Sequence, residues 1–349
     1  MDLKRNSMIL NIPLISICIP SYNRPESLKI LLESIDGDES NIEIVISEDS
    51  APQRKLVSQI VNEYIINSNY NVNYHENEQN LGYDGNLRKL IELAKGKFVL
   101  FMGDDDWFYP GALNLYITFL KENMNVGYVL RSYYSEHPTG RLEVFKYLPT
   151  PQKFDSGVNN LPFLFKRTVS IAGVTFNREL AHNLRTNIFD GTLLYQLYLV
   201  LEIAYKYDSV YCNIPVAIVA QSYRLDKPNF GASSSESKFV IGKVTPSNSI
   251  NFTNGFFEIS KYFDKKYKTN ITFLIKKDLS KYSYPILSIQ RKNGVINFIK
   301  YSIRLANETS INKTWHFYFY TFSLIIFGET VCDNLIDFIK KNLGYTPSL

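Results

Sequence analysis

Phe98-Val99-Leu100-Phe101-Met102-Gly103-Asp104-Asp105-Asp106-Trp107 is the stretch that decides the fold. Its apolar run is unbroken and stops at a glycine followed by three adjacent carboxylates. A short continuous apolar run fits a strand covered on both faces, as in the centre of a parallel sheet. Neighbouring carboxylates repel one another, so the acidic run costs stability unless a cation or solvent screens it. Hard cations such as Mg²⁺ or Mn²⁺ take oxygen ligands, and Mg²⁺ typically uses one or two carboxylates plus substrate phosphates. A solvated acidic turn would read the same in isolation. Its place at the carboxyl end of a strand favours a site, because open α/β sheets bind ligands there.

Upstream, two periods alternate. Residues 14–20, 42–47, 71–75 and 98–102 predict strands. Between them, Leu28, Leu31, Leu32 and Ile35 recur at helical spacing after Pro25, which suits a first helical position because its missing N–H has no partner there. Further helices are predicted over 54–67, 83–94 and 110–122. The alternation implies an α/β fold, a parallel sheet with helices on both faces. The turns after residues 20, 47, 75 and 102 are then the places to look for a ligand.

Downstream, 126–134 and 144–147 predict strands, 193–205 a buried helix, and 210–219 one or two strands. Residues 224–237 are rich in Gly, Ser, Asn and Pro, and fit a loop able to act as a lid. From about residue 239 the chain predicts consecutive helices, with a domain boundary near 235–245.

With 349 residues the chain suits one large domain or two unequal ones. It is 45% hydrophobic and 21% charged, which excludes a disordered or collagenous chain. A net charge of +4 does not argue for nucleic-acid binding. Cys18, Cys212 and Cys332 are widely spaced and odd in number, which fits neither a disulfide framework nor a zinc site and points to a reducing compartment. Residues 1–11 are polar and do not read as a secretory signal. The longest apolar run, 315–327, falls short of the ~18 residues of a membrane span.

Each predicted turn carries polar residues. After the first strand come Ser21-Tyr22-Asn23-Arg24-Pro25, where Tyr22 could stack on a base and Arg24 could meet a phosphate. A turn closed by two prolines is the plainer alternative. Asp49 follows the second strand and could accept from a base or ribose, or cap a helix. In Asn80-Leu81-Gly82-Tyr83-Asp84-Gly85-Asn86, glycines allow close backbone approach, and Asp84 could be an N-cap. There is no GxGxxG and no GxxxxGK[ST], so dinucleotide and P-loop readings have no support.

The stretches Ile17-Cys18-Ile19-Pro20-Ser21-Tyr22-Asn23-Arg24, Glu43-Ile44-Val45-Ile46-Ser47-Glu48-Asp49-Ser50, Asn80 to Asn86, and Gly96 to Asp106 resemble, in order and spacing, family 2 glycosyltransferases of the GT-A fold. The resemblance is specific over about 14–125 and extends to about 225. Within that family the GDDD form and the segment from Gly191 to Glu202 look most like abequosyltransferase-type enzymes of O-antigen and capsule synthesis. It implies a GT-A domain over 1–238, with a nucleotide-binding half at about 12–125 and an acceptor half at about 126–238, followed by a helical domain over 239–349. It also implies a nucleotide-sugar donor, a glycan or polyprenyl-linked acceptor, and Mn²⁺ or Mg²⁺. By the same resemblance Pro20, Tyr22 and Arg24 border the nucleotide and Asp49 binds the base. Asn80, Gly82 and Asn86 line the donor pocket. Asp104 and Asp105 face ribose and diphosphate, and Asp106, with Asp104, holds the metal. A cytoplasmic site of action follows, at the inner membrane face if the acceptor is lipid-linked.

One departure stands out. Inverting relatives often carry an acidic pair about 90 residues after the DXD motif, and here Gln196 falls where its acid would sit. An amide cannot take a proton from an acceptor hydroxyl. Asp190 is the nearest carboxylate and the candidate base, unless it caps the helix beginning near Leu193; Glu202 is the next. Arg224, opening the Ser-rich loop, could clamp the diphosphate on closure, or be a solvated surface residue.

Lys261, Lys265, Lys266, Lys276, Lys277 and Lys281 lie among many aromatics in the C-terminal part. Such helices can lie on an anionic membrane, or pack on the core with a solvated Lys face, or bury a homodimer interface. Two other functions stay open. A nucleotidyltransferase usually wants a Gly-rich basic loop after the first strand, and Ser-Tyr-Asn-Arg-Pro is not one. A binding protein that has lost catalysis would keep the donor acids and lack the base.

Overall fold

The computed structural model describes residues 12–136, 140–220 and 231–343. Strands and helices alternate through β1 (Ile15–Ser21), α1 (Pro25–Glu33), β2 (Ile42–Glu48), α2 (Arg54–Asn67), β3 (Asn71–Glu76), α3 (Gly82–Leu93) and β4 (Phe98–Phe101). A short β5 (Trp107–Phe108) precedes α4 (Ala112–Glu122). Then come β6 (Tyr128–Glu136), β7 (Leu142–Phe145), β8 (Gln152–Phe154), α5 (Leu161–Arg167), β9 (Val174–Asn177), α6 (Arg178–Asn183), α7 (Tyr195–Lys206) and β10 (Ser209–Val219). Helices α8 (Pro246–Tyr267), α9 (Ile271–Lys281), α10 (Tyr284–Arg291), α11 (Val295–Thr309) and α12 (Trp315–Leu343) follow.

The strands form one sheet in the order β3-β2-β1-β4-β9-β6-β10-β5, with β7 on β6 and β8 on β10. The first four strands are parallel, as the alternation predicts. The rest is mixed: β9 enters antiparallel between β4 and β6. The sheet is parallel where the alternation predicts it and turns mixed where β9 joins. β9 has four residues, too few for a period to show in sequence.

Period-2 alternation sorts the strand side chains between two cores. Ile15, Ile17, Ile19, Ile44, Phe98 and Leu100 face α1, α2 and α4. Cys18, Val45, Val99 and Phe101 face the other way, toward Leu87 and Ile91 of α3 and on to α7. That second core continues without a break into Phe256, Phe263, Ile275 and Leu305 of the C-terminal helices. Lys166 pairs with Asp278 at 3.2 Å, and buried Glu202 takes Lys266 at 2.8 Å. The hydrophobic core thus runs unbroken across residues 238 and 239. The helices reach back to the sheet's ligand-bearing edge.

Candidate functional site

The turns after β1, β2, β3 and β4 meet at one edge of the sheet, around a cavity of about 850 Å³. Pro20, Tyr22, Arg24, Asp49, Asn80, Gly82, Asn86, Asp104, Asp105 and Asp106 all line it. The parallel register puts their strands' carboxyl ends side by side, so loops far apart in sequence become neighbours.

The turn after β1 is tied to the turn after β4. Asp104 accepts the Tyr22 N–H at 3.0 Å and pairs with the Arg24 guanidinium at 2.8 Å. Arg24 also reaches Asp105 at 3.1 Å. Burial works against the Arg24 charge, but Asp104 and Asp105 outweigh it and hold its pKa up. Burial pushes the Asp104 carboxyl up to about 6 despite Arg24. Asp106 is raised further, first by burial and then by the charge of Asp105, while one oxygen accepts the Ala220 N–H at 3.0 Å.

The acids fit a divalent cation. A Cβ on Gly103 would lie 2.8 Å from both Asp105 Oδ1 and Asp106 Oδ2, so these oxygens converge where the glycine leaves room. Neither accepts a hydrogen bond among the described residues. Both oxygens of Asp104 are engaged by Tyr22 and Arg24, which leaves Asp105 and Asp106 as the better-placed pair. Among the described residues no group of three His, Cys, Asp or Glu is placed to hold a metal, so remaining ligands would come from a bound phosphate or water.

The turn after β2 forms a second network around a residue with no sequence signal, Asn77. Its amide donates to Asp49 at 2.9 Å, to Asn86 at 3.2 Å and to Ser47 at 3.2 Å. Asp49 also accepts the Leu81 N–H at 2.8 Å, and burial raises its carboxyl to about 6. Gly82, at φ +75°, opens α3 beneath Glu236, whose carboxylate accepts the Tyr83 N–H at 2.7 Å and the Gly231 N–H at 2.6 Å. The described part of the Ser-rich loop is thus docked on α3. Ser235 O lies only 1.9 Å from where a Gly191 Cβ would be.

The opposite wall is apolar. Ile171, Phe239, Val244, Phe252, Ile286 and Ile289 line it, from the 169–171 segment, α8, α10 and the loop before α8. Fully buried Arg131 holds that segment by donating to the carbonyls of Ala172 at 2.6 Å, Ser170 at 2.9 Å and Arg167 at 3.3 Å. Neither Arg131 nor this wall is legible in sequence, since each depends on contacts between distant segments.

The candidate bases fall elsewhere. Asp190 does not line the cavity and forms a two-pronged pair with Arg88 of α3, one contact at 2.8 Å. It does not cap α7. Asp84 does so from across the fold, accepting the Leu193 and Tyr195 N–H groups at 2.9 Å each, with its own carboxyl raised by burial to about 7. Glu202 faces α8, bonded to Lys266 and Tyr267. Gln196 is buried, donating to Val169 O at 2.7 Å and accepting from the Tyr83 hydroxyl at 3.3 Å, so it braces both walls of the cavity. Arg224 lies outside the described residues.

Known proteins share this fold. The family model "Glycosyl transferase family 2" matches residues 16–177. The chain is 34% identical over 116 residues to abequosyltransferase RfbV of Salmonella typhimurium, covering 32% of this chain and 34% of that protein. It is 26% identical over 249 residues to GalNAc(5)-diNAcBac-PP-undecaprenol beta-1,3-glucosyltransferase of Campylobacter jejuni, covering 66% and 72%. The match thus spans about a third of the Salmonella protein's length. Among solved structures, S. aureus TarS 1–349 in complex with UDP-GlcNAc superposes with a TM-score of 0.56 at 15% identity, covering 92% of this chain and 91% of that one. The mannosyltransferase PcManGT from Pyrobaculum calidifontis, in complex with GDP-Man and Mn²⁺, gives 0.50 at 13%, covering 90% and 87%. Residues 16–177, just under half of the chain, thus match the glycosyl transferase family 2 model, and the sheet that carries them has the fold of these glycosyltransferase structures.

Proposed function

We propose that the chain transfers a sugar from a nucleotide-sugar donor to a glycan or polyprenyl-linked acceptor in bacterial surface polysaccharide synthesis, of O-antigen or capsule type. The observation that carries this reading is the convergence of four strand-end turns and their acids on one cavity. The names of the Salmonella and Campylobacter relatives support the class of pathway. A seat at the inner face of the cytoplasmic membrane would put a lipid-linked acceptor within reach.

In the transfer, the bond from the anomeric carbon to the leaving phosphate oxygen breaks, a bond to the acceptor oxygen forms, and the acceptor's hydroxyl proton passes to the leaving phosphate or to solvent, since neither Asp190 nor Glu202 lines the cavity. Asp49, held by Asn77 and the Leu81 N–H, would orient the base. Arg24, fixed by Asp104, would offer its cation to the diphosphate. Asp105 and Asp106 would hold Mg²⁺ or Mn²⁺, which supplies charge neutralisation of the leaving diphosphate. Arg224, if brought over the cavity, would add a second cation. The apolar wall excludes water, which strengthens these electrostatics.

A binding function without turnover is the second reading, favoured by the placement of Asp190 and Glu202 away from the cavity. A thermal-shift screen of UDP, GDP, CDP and dTDP with and without Mn²⁺ or Mg²⁺ tests the donor site, since a ligand of the folded chain raises its melting point. One nucleotide giving a metal-dependent shift is expected. Absence of any shift would remove the donor site, and a shift without turnover on any acceptor would favour the binding reading.

A further inference from the structure

Helix α12 is apolar on two opposite faces. Phe317, Leu324 and Cys332 are buried against the other C-terminal helices. On the outer side, Trp315 (65% exposed), Phe319, Phe322 (62%) and Ile326 recur at the four- and three-residue spacing of one helical stripe. After a break at Gly328, at φ +73°, Leu335 and Phe338 (63%) continue the apolar surface. Residues 315–327 contain no charged side chain. A helix apolar all round calls for a second apolar neighbour. Among the described residues, no helix is long and apolar enough to cross a membrane, so such a surface would be met from the side.

Charge distinguishes the occupants. Residues 239–349 carry fifteen Lys and Arg against seven Asp and Glu, whereas residues 1–238 are net acidic. Next to the start of α12, Lys261, Lys276 and Lys313 stand close enough for burial and the other two charges to push Lys276 down. The described ion pairs of this region join Lys166 to Asp278, Lys266 to Glu202, Lys292 to Glu329 and Arg304 to Glu308, and none takes a member of that trio. A second copy would bring an equally basic region against this one. An anionic surface would relieve the repulsion.

We propose that the outer stripe of α12 is a lipid-docking face, laid flat in the headgroup region of an anionic bilayer with the exposed Lys261 and Lys313 against the headgroups. This goes beyond the transfer reaction and stands whether or not that reading holds. Ile286 and Ile289 of α10, which packs on α12 through the Arg291 bond to Leu324 O at 2.8 Å, line the apolar cavity wall, so the docked face lies next to the site.

The full chain is sedimented with vesicles of phosphatidylglycerol and phosphatidylcholine, or of phosphatidylcholine alone. Binding at least about tenfold stronger to the anionic vesicles is expected, weakening with salt. The exposed double variant Phe322→Glu/Ile326→Glu should lose about tenfold or more of that binding, with its melting point retained. Lys261→Glu/Lys313→Glu should lose the anionic preference. Trp315 gives a readout free of the charge variants: a blue shift of emission with anionic vesicles, absent in Trp315→Phe. No vesicle binding, binding indifferent to the stripe, or no Trp315 shift overturns the proposal. So does a vesicle-free dimer that the stripe variant dissolves, which would assign the face to a second copy.

Discussion

The two walls of the cavity are made of different materials. One wall is polar and comes from turns at the ends of parallel strands, with acids held by backbone N–H groups, Arg24 and Asn77. The opposite wall is mainly apolar and comes from helices far along the chain and a segment held by Arg131. The first wall can recognise charge and hydrogen-bonding groups at fixed points. The second, in which Ser170, Asn248, Ser249 and Thr253 are the polar members, mainly excludes water and shapes the space. A ligand with a charged nucleotide end and a less polar reacting end matches that division.

The comparison breaks most sharply at Asp106. Asp106→Ala should lower metal-dependent kcat/KM by about 100-fold or more, in the range found for loss of an electrostatic contact in a transition state. The melting point should hold or rise, because burial disfavours this carboxylate in the folded chain. Unchanged turnover would remove it from the polar wall's chemistry.

Gly191→Ala should detach the walls from each other. Its Cβ would collide with Ser235 O, and φ is +79°. A loss of about 2 kcal/mol in urea unfolding is expected, with weaker nucleotide binding as the Ser233–Glu236 segment leaves α3. A fully stable variant would mean that the loop is not docked there.

Phe252→Ala sharpens the division. It should raise the acceptor KM about tenfold while leaving the nucleotide Kd within about twofold. An equal loss in both, by calorimetry and steady-state kinetics, would erase the distinction.

Acidity separates the walls as well. Burial lifts Asp49 and Asp104 to about 6 and Asp84 to about 7, from an ordinary 3.8. The folded chain therefore keeps protons that the unfolded chain has released. Stability should fall as pH rises from about 4 to about 7, with Asp106, raised by the same burial, adding to the fall. A melting series without metal checks this, and a melting point that climbs through that window would contradict it.

The smallest effect belongs to Asp190→Asn. Paired with Arg88 and off the cavity, Asp190 should tolerate the change with turnover within about twofold, the partly exposed pair being worth little. A large loss of kcat with the fold intact would return it to the mechanism as a base.

The strand-end residues were legible because a parallel α/β sheet assigns ligand sites to known places along the chain. Once 14–20, 42–47, 71–75 and 98–102 read as strands, Tyr22, Arg24, Asp49, Asn80 and the Asp104–Asp106 run were marked by position alone. Asn77 sits at such an end too, yet an asparagine after a strand reads as a turn; only the packing of β2 against β3 makes it a hub.

The sequence by itself determined the periodic elements, the parallel half of the sheet and the acidic turn at its strand ends, since these follow from local period and from adjacency along the chain. Tertiary structure alone decided the insertion of β9, the capping of α7 by Asp84 from 109 residues away, the pairing that takes Asp190 from the cavity, and the apolar wall. The physical reason is that these features are contacts between distant segments. Which carboxylate meets which N–H or guanidinium is set by how helices pack on the sheet, and no short window of residues carries that information.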